Sequence, residues 1–179
     1  MHPVSKYSVG LRFGLIGGVL YAILLLCRFK YFSSNPASYF SFSESSYLII
    51  LITLFLCGLA RRKELGGFAE MREIFQSIFI AILLLELVYV LFVFIYMKFA
   101  DPGFASHFRA SSLSYFHQKG LADKDIDTQM KGIESITEET KPSGLVKGFG
   151  TAVVVDSVFG FIFAAILRRK KPIQTETKI

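Results

Sequence analysis

The chain has 179 residues, of which 53% are apolar and only 19% charged, with nineteen Phe, eight Tyr and no Trp. That balance excludes a disordered chain, a coiled coil and a disulfide scaffold, and a chain this short cannot hide long apolar segments in a water-soluble core. The formal net charge of +6 does not mark a nucleic-acid binder either, because Lys and Arg gather at the ends of apolar runs instead of on one solvated face.

A bilayer hydrocarbon core of about 30 Å takes about 20 helical residues, and four runs of that length occur. The first, 7–32, has the uncharged heart 13–27 and ends before Ser33-Ser34-Asn35-Pro36, a turn cluster. Lys6 followed by this run could be read as a signal peptide, but Asn35-Pro36-Ala37 lacks the small residue a cleavage site needs and the run is too long. Leu26 is also too bulky for Cys27 to be a lipidation site. The second run, 41–60, is stopped by Arg61-Arg62-Lys63. The third, 74–97, lies between Glu73 and Lys98, contains one charge, Glu86, and is ended by Asp101-Pro102-Gly103. The fourth, 148–167, lies between Lys147 and Arg168 and contains one charge, Asp156.

Between the third and fourth runs, about 101–144, Ile126, Met130, Ile133 and Ile136 recur at helical spacing behind Asp123 or Asp125 as cap. With a less regular helix over about 104–118, closed by Lys119-Gly120, this insert reads as a helical hairpin. It would serve as a lid on the bundle or headgroups, or as a partner-binding face. Residues 172–179 are polar and expected to be disordered. The fold expected is all-α: a single four-helix transmembrane bundle over 1–171 with an extracytoplasmic helical hairpin.

Orientation follows from positive charge in short loops. Eleven of the twenty basic residues, Lys6, Arg12, Arg61, Arg62, Lys63, Arg72, Arg168, Arg169, Lys170, Lys171 and Lys178, fall on one side if both termini are cytoplasmic. Arg28 and Lys30 lie on the other side and are expected to snorkel to the interface. The segment 98–147 balances seven basic against seven acidic residues, as a solvated outer surface would.

The layout resembles a bacterial integral membrane family, domain of unknown function 4199. The likeness is carried by KYSVGLRFGLIGG opening the first helix, the basic loop RRKELGGFAEMREIF, the acidic insert KGLADKDIDTQMKGIE, and GLVKGFGTAVVVDSVFGFIFAAILRRKK at the end. It implies four helices in a bacterial inner membrane and brings no functional residues with it.

No catalytic or transport motif identifies a reaction, and nothing points to a cofactor. His107 and His117 stand ten residues apart on different helix faces, so no metal site is expected. Cys27 and Cys57 lie near opposite ends of their helices and cannot meet. Gly10, Gly14 and Gly18 are spaced by four, and a second row runs Gly144, Gly148, Ala152, Asp156, Gly160, Ala164. Two small-residue faces are expected to pack the first and fourth helices together, or to make a homodimer.

Glu86 and Asp156 remain as the candidate intramembrane polar site. The bounding charges put both within about 3 Å of the mid-plane. They are expected to face inward and share a proton or both be neutral, since two carboxylates in low dielectric cannot both ionise cheaply. The role expected first is a non-enzymatic accessory or scaffold subunit, with the bilayer and another membrane protein or a second copy as partners. The alternative is a small transporter or ion-coupled component using Glu86 and Asp156, and an enzyme comes third. A dry interface around the two acids would favour the scaffold and a polar cavity the transporter.

Overall fold

In the computed structural model the described residues are 7–139 and 141–170, with the side chains of 136, 137 and 139 excepted. Six helices follow in chain order: α1 (Ser8–Tyr31), α2 (Pro36–Glu64), α3 (Met71–Ile95), which runs on into a π-helical turn over Tyr96–Ala100, α4 (Phe104–Gln118), α5 (Asp123–Glu139) and α6 (Pro142–Leu167). Among the described residues there is no named strand, and α1, α2, α6 and α3 with its π turn are long and apolar enough to cross a membrane. Ile136 of the expected apolar stripe and the tail 172–179 lie outside what is described.

Two spans begin earlier than their hydropathy indicates, and both do so on a proline. Pro36 and Pro142 occupy the first turns of α2 and α6, where a missing N–H costs nothing. Asn35 caps α2 by accepting from Ser38 N at 3.2 Å, so the cluster 33–36 ends α1 and starts α2 almost at once. The Ser residues that lower hydropathy at the start of α2 stay helical by turning back on the helix. Ser45 donates to Ser41 O at 2.9 Å and Ser46 to Phe42 O at 2.7 Å. α2 therefore runs from 36, not 41, and α6 from 142, not 148. At the opposite end α2 stops at Gly66 and Gly67, whose φ values of 75° and 87° fit left-handed capping positions. Glu70 and Glu73 then form a capping box for α3, Glu73 accepting from Glu70 N at 2.9 Å. The loop after α2 is tied to the end of α6 by paired backbone bonds between Ala69 and Arg169, both 3.0 Å.

α3 is the central helix, packing on α1, α2 and α6. The expectation that α1 and α6 join through their small residues is corrected here, because each meets α3 instead. A Cβ on Gly10 would lie 2.4 Å from Ser77 O, one on Gly14 2.9 Å from Leu84 Cβ, and one on Gly18 2.9 Å from Val88 Cγ2. Gly17 faces Thr53 of α2 at 2.5 Å. On α6, Gly160 takes Ile78 Cγ2 of α3 at 2.8 Å. Large side chains of one helix fill the glycine groove of the other, which secures dispersion contacts that two small-residue faces would lack.

At the end where α1 stops and α2 starts, Phe29, Tyr39, Phe92, Tyr96, Phe104 and Phe108 form one aromatic cluster, with ring centroids 4.7–6.2 Å apart for its contacting pairs. Phe104 and Phe108 fasten α4 to the bundle through it, and Ser111 adds a hydrogen bond to Ser33 O at 3.1 Å. α5 buries Ile126, Met130 and Ile133 and pairs Glu134 with Arg109 of α4 at 3.2 Å.

Candidate functional site

The two intramembrane acids meet. Glu86 of α3 and Asp156 of α6 are buried, 5% and 1% exposed, and bring their carboxyls within interaction range of each other. Tyr47 of α2 donates its hydroxyl to Asp156 Oδ1 in a short hydrogen bond. The contact between the acids is a carboxyl–carboxyl hydrogen bond, which is attractive only with a proton between them.

They form the floor of a cleft of about 840 Å³ that opens toward the α4–α5 end of the bundle. Above the floor, Tyr21 of α1 stacks near Tyr89 of α3, with ring centroids 6.3 Å apart. One layer higher, the Arg28 guanidinium lies 4.0 Å from the centre of the Tyr39 ring, a stacked cation–π arrangement. Ser143, Lys147 and Glu138 reach the rim. Arg28, near the end of α1, lies against the Tyr39 ring because an aromatic face there carries its flat, weakly hydrated cation.

The small residues of α6 divide between two jobs. Gly148 has nothing within 4 Å of its would-be Cβ, and with Gly144 and Ala152 it forms a wall that keeps the cleft open. Past Asp156, the row becomes a packing face. Gly160 meets Ile78 and Ile82, Ala164 is fully buried, Phe163 packs edge-on against Phe55, and Leu167 sits 2.7 Å from the would-be Cβ of Gly58. On one side of the carboxyl pair the bundle opens into the cleft, where Tyr, Ser, Arg and Lys side chains alternate with Phe29, Phe40, Ile50 and Val155, and on the other it is closed and apolar. The expected packing residues Gly148 and Ala152 thus border the cleft, whereas Gly10, Gly14, Gly18 and Gly160 are the close-contact positions.

Elsewhere, His107 lies 3.5 Å from Asp101, and the two cysteines are free. The described residues contain no group of three or more His, Cys, Asp and Glu placed to hold a metal ion. The cleft residues that sequence reasoning missed, Tyr21, Arg28, Tyr39, Ser43, Tyr47 and Tyr89, do carry a signal. Tyr21 and Arg28 are seven apart, Tyr39, Ser43 and Tyr47 four apart, and Glu86 and Tyr89 three apart, so each set shares a helix face.

A family model described as a protein of unknown function, DUF4199, matches residues 12–169. The chain belongs to that family. The match takes in both acids, every residue of the cleft named above and all four spanning helices except the first turn of α1. No curated protein and no solved structure matches the chain.

Proposed function

We propose that this chain is a non-enzymatic, ion-coupled component of a bacterial inner membrane, which admits a small polar solute to the cleft and uses Glu86 and Asp156 as its proton or cation site. The observation that carries the reading is the cleft itself. A scaffold needs a dry, closed interface around the two acids, whereas here the acids line an 840 Å³ opening that sets Arg28, Lys147 and four Tyr side chains among apolar ones. The apolar closure beyond Asp156 supports one-sided access, as an alternating-access component has in one of its states. The test uses purified protein in liposomes loaded with a pH-sensitive dye and offered a mixture of small amines, zwitterions and carboxylates. Solute-dependent proton movement should be abolished by Glu86→Gln and by Asp156→Asn, with elution profile and thermal midpoint unchanged. Flux that persists in both variants would overturn the reading.

The cleft faces outward in this proposal. Arg61, Arg62, Lys63, Arg72, Arg168, Arg169 and Lys170 all lie at the closed end, which the Ala69–Arg169 pairing holds together. Positive charge of that density belongs on the cytoplasmic side. Reporter fusions at Gly66 and after Lys170 are expected to read as cytoplasmic and one at Gly120 as extracytoplasmic. A cytoplasmic signal at Gly120 would reverse the orientation.

A further inference from the structure

We infer that the solute of this cleft is a small zwitterion, held with its ammonium on the Glu86–Asp156 pair and its anionic oxygens on Arg28. The inference rests on the proposal that the cleft is a solute site and names the chemistry it accepts. Three features carry it. Asp156 is 1% exposed and lines the cleft with Glu86, and the two carboxyls are hydrogen-bonded to each other, so that with one shared proton the pair presents a single negative charge at the floor. Arg28 also lines the cleft, and its Nε is buried without an acceptor. Among the described residues no carboxylate forms an ion pair with Arg28, and the Tyr39 ring and hydroxyl beside it take up only part of the five N–H donors of its guanidinium. The third feature is the order of charge along the cleft. Lys147 joins Arg28 in the outer part, Glu138 at the rim is engaged by Lys141 at 2.5 Å, and the acids sit at the floor. A simple cation would have to pass the positive layer, and a simple anion would end against the acids, whereas a zwitterion with its ammonium innermost satisfies both layers.

The spacing sets its size. Tyr21, beside the floor, and Arg28 are seven residues apart on α1, a rise of about 10 Å. Two hydrogen bonds of about 2.9 Å leave roughly 4 Å between the charged groups of the ligand. The α1 side chains lean toward that helix's N-terminus, hence toward the floor, so this is an upper bound. A short amino acid meets it, and so does the ammonium–phosphate unit of a phosphatidylethanolamine headgroup. A free solute would enter from the rim, and a headgroup would enter sideways past Phe40 and Val155, cleft residues that are 37% and 46% exposed.

The experiment measures thermal midpoints of the full chain in phosphatidylethanolamine-free detergent with β-alanine, ethylamine or propionate. In parallel, the chain is placed in nanodiscs of dioleoylphosphatidylethanolamine or dioleoylphosphatidylglycerol. β-Alanine should stabilise at concentrations where ethylamine and propionate do not, and Arg28→Gln and Asp156→Asn should each weaken it roughly 10–100-fold. Arg28→Lys, which keeps the charge without the fork, should fall between. Stabilisation by phosphatidylethanolamine discs alone, with the same dependence on Arg28 and Asp156, supports the zwitterion and assigns it to the lipid. Ethylamine binding as tightly as β-alanine and indifferent to Arg28→Gln would overturn the zwitterion while leaving the cleft a cation site. No response to any of these probes or lipids would overturn it too, with the flux assay deciding the cleft reading separately.

Discussion

Gly10→Leu is expected to lower the stability of the folded bundle by about 3 kcal/mol, at the upper end of what overpacking costs. The reason is what stands opposite. A Cβ at position 10 would come within 2.4 Å of the Ser77 carbonyl oxygen and 2.9 Å of Ile80 Cβ. A backbone oxygen on the central helix cannot rotate away as a side-chain terminus can, so α1 would have to slide outward along much of its interface with α3. In lipid that separation forfeits dispersion contacts with little hydrophobic drive to restore them. Gly148→Leu is the matched control, since its Cβ meets nothing within 4 Å. It should leave the thermal midpoint in detergent nearly unchanged while filling the cleft. If Gly10→Leu melts with the wild type, the α1–α3 contact is not what holds α1 in place.

The same two glycines show what the sequence does and does not reveal. Four apolar runs, the acids at a common depth and the small-residue rows follow from periodicity and from the length of a bilayer-spanning helix. Which helix each row faces does not follow, because a glycine groove fits any helix with large side chains at the complementary spacing. α3 supplies them as Ile80, Leu84 and Val88. Helix starts were misplaced where polar residues lowered hydropathy. Residues 36–40 carry no apolar run of their own, and only the capping of Ser38 N by Asn35 shows that the helix already starts there. Arg28 has a partner that the sequence does not reveal. Its distance from the helix end indicates an interface anchor, and only the position of the Tyr39 ring, eleven residues away across a turn, makes the inward rotamer favourable. The Glu86–Asp156 meeting was the most legible part of the site, since charges at the membrane centre have few places to go. Tyr47, which donates to Asp156, shares a helix face with Tyr39 and Ser43, but that spacing alone does not say which neighbour the face meets.

The second large effect concerns the aromatic cluster that joins the α4–α5 pair to the bundle. Phe29 is 2% exposed and touches Tyr39, Phe92, Tyr96 and Phe104, with centroid separations of 4.9–5.8 Å. Phe29→Ala leaves a void at the meeting point of α1, α2, α3 and α4, and no neighbouring side chain can fill it without leaving its own ring contacts. A loss of about 3–4 kcal/mol is expected, the range for removing a buried Phe side chain. The loss should appear first as undocking of α4, since its hold on the bundle runs through Phe104 and Phe108. Proteolysis at Lys119 and Lys124, between α4 and α5, should then accelerate before the spanning helices unfold. Phe99→Ala, at a side chain 70% exposed, should change neither melting nor cleavage. Phe29 and Tyr39 also form the cleft wall beside Arg28, so undocking α4 would loosen the ring on which the guanidinium stacks. A Phe29→Ala protein that resists cleavage as well as the wild type would show that α4 is held by contacts outside this cluster, and that the wall around Arg28 does not depend on it.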